Sequence, residues 1–130
     1  MKKFQFSDLR IPIIQAPMAG GVNTPELASA VANFGGVGSF GFAYSTPESI
    51  DKSLSRTKKL TTGPINANFF VFKDIKLPDK KVQQTCVEAL TSLPFNEAVE
   101  FILPSSPFFP SLDDQLGPIW ENSPSILTFH

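Results

Sequence analysis

The sequence predicts an α/β fold with a parallel sheet, roughly the first four strands of a TIM-type (β/α)8 barrel with their helices. Three observations carry this. Short apolar runs alternate with capped amphipathic segments in a βαβαβα series. The first of those runs is apolar on nearly every residue, as suits a parallel strand buried on both faces. Four such strands in 130 residues are about half of a barrel that takes about 250 residues. Taken alone, the alternation fits an open doubly wound sheet equally well.

Residues 11–15, IPIIQ, are the first predicted strand. The loop Pro17-Met18-Ala19-Gly20-Gly21 follows it. Thr24-Pro25-Glu26 then supplies an N-cap, a proline for the first helical position and an acid against the positive helix end. The helix should run to about Asn33, burying Leu27, Ala28, Val31 and Ala32, with Gly35 as its stop. The plan repeats, with residues 37–42 as the second strand and Ser45-Thr46-Pro47-Glu48 starting a helix to about Leu60. Residues 65–72 read as a third strand. Asp79 caps a third helix to about Leu93, which places Val82, Cys86, Leu90 and Leu93 on one stripe.

Four prolines between residues 94 and 110 exclude one long helix and predict a Pro/Phe-rich excursion outside the sheet. Residues 111–120 are expected to form a short helix with Leu112, Leu116 and Trp120 inward, and residues 126–129 the fourth strand. No helix follows that strand before His130, so residues 1–130 read as the N-terminal half of a barrel. An open half barrel exposes a strand edge, which predicts self-association.

Composition narrows the partners. A net charge of −1 with 18% charged residues gives no electrostatic footprint for nucleic acid or an anionic membrane. The single cysteine, Cys86, cannot close an internal disulfide, and the opening MKKFQFSDLRIPII lacks the unbroken apolar run of a signal peptide or span. A cytoplasmic location is expected.

Ligands of parallel α/β proteins sit at the carboxyl ends of the strands. The Pro17–Gly21 loop occupies such a place: its small residues would let a planar ligand reach main-chain N–H groups, and Met18 offers a polarisable face to a ring. A plain tight turn at Gly20 and Gly21 explains the same residues. The segment Gly35-Gly36-x-Gly38 precedes a strand and so fails the context of a dinucleotide fingerprint. Asn66 and Asn68 share one face of INANFFVF and must be hydrogen-bonded if buried. Either neighbouring strands and solvent satisfy them, or Asn68 pairs with a heterocycle carrying donors and acceptors. His130, the only histidine, stands at a predicted strand end, where a barrel places site residues. No metal-ligand spacing, Ser-His-Asp set or paired catalytic carboxylates occur, and Asp113-Asp114 reads as a solvated helix face.

Together, PIIQAPMAGGVNTPELASAVANFGGVGSFGFAYSTPESI, PINANFFVF and the terminal SILTFH resemble the N-terminal half of the nitronate monooxygenase family, also called 2-nitropropane dioxygenases. The resemblance implies a (β/α)8 barrel that binds FMN and oxidises alkyl nitronates with O2 to a carbonyl compound and nitrite. It implies flavin contacts from Pro17, Met18, Ala19 and Gly20 in the first loop and from Asn68, and it places His130 near the substrate. The family's catalytic histidine and its phosphate-binding glycine loops belong to segments downstream of SILTFH. A flavin-dependent enoyl reductase of the same barrel type, or a non-catalytic interaction module, shares the early pattern.

Overall fold

The computed structural model describes residues 4–72, 76–94, 103 and 107–130. The chain forms two compact units, one of Met1–Val71 with Phe109–His130 and one of Phe72–Phe108. In the first unit α1 (Pro25–Phe34), β1 (Gly38–Gly41), α2 (Pro47–Leu60) and β2 (Ile65–Phe69) follow one another. Most of the second unit's described residues lie in α3 (Lys80–Thr91), and the first unit resumes with α4 (Leu112–Asn122) and β3 (Ile126–Phe129).

Each main helix starts where a side-chain oxygen satisfies an orphan N–H. Thr24 accepts from Leu27 N at 3.2 Å, Thr46 from Ser49 N at 3.3 Å, Asp79 from Val82 N at 3.0 Å and Ser111 from Asp114 N at 3.2 Å. Gly35 ends α1 at φ 106°, a left-handed conformation that only glycine adopts without strain.

The sheet is parallel in the order β1-β2-β3. Ser39 stands opposite Asn66 and Gly41 opposite Asn68, while Asn66 faces Ile126 and Asn68 faces Thr128. One face is apolar. Phe40, Phe42, Ala67 and Phe69 pack on Ala28, Ala32, Ile50, Leu54 and Ile119 of α1, α2 and α4. Phe40 and Phe42 stack at 5.2 Å, and Phe42 meets Phe69 at 5.8 Å, which gives the phenylalanine-rich composition a packing role. Helix α1 seats directly on β1 because residue 38 is glycine: a Cβ there would lie 2.1 Å from the Ala28 carbonyl oxygen.

Several expectations need correction. Residues 11–15 do not form a regular strand; Ile14 makes a single parallel bridge to Val37. Val37 N donates to Ile13 O and Gln15 N to Val37 O, each at 2.9 Å, but at the next rung Ser39 N donates to the Gln15 side-chain Oε1 at 3.3 Å. The side chain replaces the carbonyl and the backbone leaves the sheet. Nor is the segment buried on both faces, since Ile13 is 58% exposed. The second and third strands are shorter than expected, at Gly38–Gly41 and Ile65–Phe69. Leu27 is exposed beside buried Ala28 and Ala32, and α3 buries none of its residues. Residues 94–110 lie largely outside the described residues.

In α4 Leu112 and Leu116 pack on the core, but Trp120 is 76% exposed. The inward stripe runs through Leu112, Gln115, Leu116, Ile119 and Asn122, which leaves Trp120 about a quarter turn away. Gln115 takes the central place because its Nε2 donates to Phe42 O and Ser45 O, both at 2.9 Å, tying α4 to the loop after β1. Gln115→Leu strands these carbonyls and is expected to destabilise the protein by about 2 kcal/mol. Urea unfolding should show an earlier midpoint at unchanged slope.

Candidate functional site

The carboxyl ends of β1, β2 and β3 bring the sequence-predicted residues together. The key contact is at Gly41, where a Cβ would stand 2.7 Å from Met18 C and 2.8 Å from Ala19 N. The main chain of the first loop therefore lies directly on the end of β1, one strand away from Asn68. Asn23 closes this loop by donating from Nδ2 to Ala16 O at 2.9 Å, and Gly20 turns it at φ 81°. Pro17 and Met18 are exposed, Met18 by 40%, and Ala19 is half-buried. Met18 is thus accessible beside a backbone of small residues.

Opposite the phenylalanine face, the sheet carries a polar row. Asn66 Nδ2 donates to Ser39 Oγ at 3.4 Å, Thr128 Oγ1 to Asn66 Oδ1 at 3.2 Å and Asn68 Nδ2 to Thr128 Oγ1 at 2.9 Å. Asn68 is 9% exposed. Neighbouring strands thus hold both asparagines, as one of the two sequence readings held, while among the described residues nothing donates to the Asn68 carbonyl oxygen.

His130 continues β3 by backbone bonds. Its N donates to Phe69 O at 3.0 Å and its carbonyl accepts from Val71 N at 2.9 Å. Two residues beyond Thr128, it shares the face of the polar row, and its ring lies 6.0 Å from Phe70. Tyr44 meets Phe70 edge-on at 6.3 Å and Phe109 at 6.2 Å, so aromatic side chains border the polar row.

The acids near this end serve the helices. Glu26 is held below the ordinary carboxylate value of 4.5 by its own backbone N–H and by Arg56, which it meets at 2.9 Å. Glu48 is lowered in the same sense by its own backbone N–H and the Thr46 hydroxyl. Among the described residues no group of three His, Cys, Asp or Glu side chains could hold a metal ion, and no helix is long and apolar enough to cross a membrane. Sequence reasoning missed Thr128, Ser39 and Gln15. Thr128 alone carried a signal, being two residues from His130 and hence on its face.

Comparison with known proteins gives the family and the fold. The family model described as nitronate monooxygenase matches residues 3–128. A probable nitronate monooxygenase of Bacillus subtilis (strain 168) is 44% identical over 80 residues, 62% of this chain and 22% of that protein. A nitronate monooxygenase of Paraburkholderia phytofirmans is 45% identical over 73 residues, 56% of this chain and 19% of that protein. A solved structure described as nitroalkane oxidase from Streptomyces ansochromogenes superposes with TM-score 0.79 at 27% identity, covering 95% of this chain and 35% of that one. The chain spans about a fifth of the length of these curated relatives and about a third of the solved one. With a family match over nearly all its residues and a parallel α/β fold shared with an enzyme of known structure, this chain belongs to the nitronate monooxygenase family.

Proposed function

We propose that these residues form the ring-binding side of an FMN-dependent (β/α)8 barrel enzyme that oxidises alkyl nitronates with O2 to a carbonyl compound and nitrite. The observation that carries the proposal is the Met18–Ala19 main chain lying on Gly41 beside Asn68. The residues fit a flavin ring: the loop from Pro17 to Gly20 is small and uncharged, Met18 offers an exposed polarisable side chain, and Asn68 keeps a carbonyl oxygen free as acceptor. FMN, when bound, supplies the electron transfer between nitronate and O2. The chain's own residues bind and orient: the first loop covers the ring and Asn68 fixes its edge. His130, exposed beside Phe70 on the same face, borders the substrate rather than acting as base. In the family pattern, the base and the phosphate contacts belong to later segments.

An FMN titration of this chain, followed by quenching of flavin fluorescence, tests the reading. Saturable binding is expected, with Asn68→Ala and Met18→Ala each weakening it by about fivefold to tenfold. Absence of saturation, or variants that bind as tightly as the parent, would overturn the ring site.

A further inference from the structure

Asn68 donates through Nδ2 to two atoms of one residue, the Thr128 hydroxyl at 2.9 Å and the Thr128 main-chain carbonyl at 3.3 Å. A carbonyl oxygen can only accept, so the NH2 end of the amide must face Thr128. The hydroxyl proton of Thr128 is directed elsewhere, to Asn66 Oδ1 at 3.2 Å, and the Asn66 NH2 group donates onward to Ser39 Oγ at 3.4 Å. Every link in this row therefore runs in one direction across three strands, and reversing the Asn68 amide would set two acceptors against each other at the Thr128 carbonyl. The Nδ2 group is thus engaged with Thr128, and Oδ1 accepts no hydrogen bond among the described residues, on a residue nine-tenths buried. An amide free in solution can donate or accept. This one has been committed.

We propose that Thr128 is a positioning residue: it fixes the direction of the Asn68 amide, so that Asn68 meets its ligand as a hydrogen-bond acceptor and takes an N–H edge of a planar heterocycle. The identity of that heterocycle as a flavin rests on the proposed function, whereas the direction of the amide does not. For an oxidised isoalloxazine the consequence is specific, because the ring carries a single N–H, at N3, and none of its other ring heteroatoms donates. Asn68 therefore selects that edge.

The experiment has two stages. In the flavin-free chain, the Asn68 side-chain NH2 pair is followed by 15N-edited NMR and its exchange with water measured. The pair is expected to be resolved and protected in the parent chain and in Thr128→Ser, and to lose protection at one proton in Thr128→Val. Rapid exchange in the parent chain, which needs no variant, overturns the proposal; so does a Thr128→Val pattern identical to the parent's, or failure of Thr128→Ser to restore it. In the second stage FMN and its N3-methyl derivative are titrated into the same chains. The parent and Thr128→Ser should favour FMN about tenfold, and Thr128→Val should lose most of that preference. Equal affinity of the parent chain for both flavins overturns the acceptor role. A parent chain that binds neither flavin but shows the protected amide overturns the flavin reading and upholds the positioning of Asn68.

Discussion

Gly38→Ala is expected to destabilise the protein by about 3 kcal/mol or more, because the added methyl has nowhere to go. Its carbon would stand 2.1 Å from the Ala28 carbonyl oxygen and 2.7 Å from the carbonyl carbon, both main-chain atoms of α1. A side chain could rotate aside, whereas a helix backbone must translate as a body. Translating α1 pulls its Ala28 and Ala32 away from Phe40 and the rest of the core, so the cost reaches the upper end of what overpacking exacts. Thermal unfolding should fall by roughly 10 °C. Gly117→Ala provides the contrast: inside α4 its methyl meets nothing within 4 Å beyond its chain neighbours, and the gain in helix propensity is offset by the conflict of a Cβ with the ring of Pro118, so its Tm should stay near the parent's. Equal Tm values for the two variants would refute the close seating of α1 on β1.

Gly41→Ala should leave the fold in place and abolish most flavin binding. Its methyl would meet Met18 C at 2.7 Å, Ala19 N at 2.8 Å and Met18 O at 3.0 Å, again backbone atoms, but of a loop instead of a helix. The loop is held at Asn23 and turned at Gly20, so it is displaced as a unit, carrying Met18 away from its place beside Asn68. A loss of roughly 30-fold in FMN affinity, about 2 kcal/mol, is expected. Circular dichroism should remain that of the parent. A variant with the parent's affinity would show that the loop's closeness to β1 has no bearing on the ring.

The sequence was most legible where structure is decided locally. Thr24, Thr46 and Asp79 each cap the helix read to start there, because a cap needs only one short polar side chain within three residues of the N–H it satisfies. It misled where a polar residue does the work of an apolar one or of the backbone. Trp120 was expected inward on hydrophobicity, yet the centre of α4 belongs to Gln115, whose worth depends on carbonyls some 70 residues away. The run IPIIQ has the composition of a buried strand, but Gln15 ends its pairing with a side-chain oxygen that no periodicity can display. At the site, the Met18–Ala19 main chain lies on Gly41, whose register partner is Asn68. Thr128 stayed hidden because its meaning lies in register with Asn68, and register between parallel strands is set by the whole intervening chain.

The simple strand order has a consequence for how the molecule is made. Each strand pairs with the one synthesised before it, and the partners on β1 and β2 are 27 residues apart while those on β2 and β3 are 60 apart. Closing the longer loop costs about 0.7 kcal/mol more in chain entropy, and its last residues leave the ribosome after those of β1 and β2. The phenylalanine layer over β1 and β2 can therefore condense during translation, with Asn68 already in its strand but its amide still free to turn. Only when β3 arrives does Thr128 close the row. The ligand-facing amide acquires its direction only when β3 pairs with β2, so this part of the binding surface forms after the phenylalanine layer beneath it.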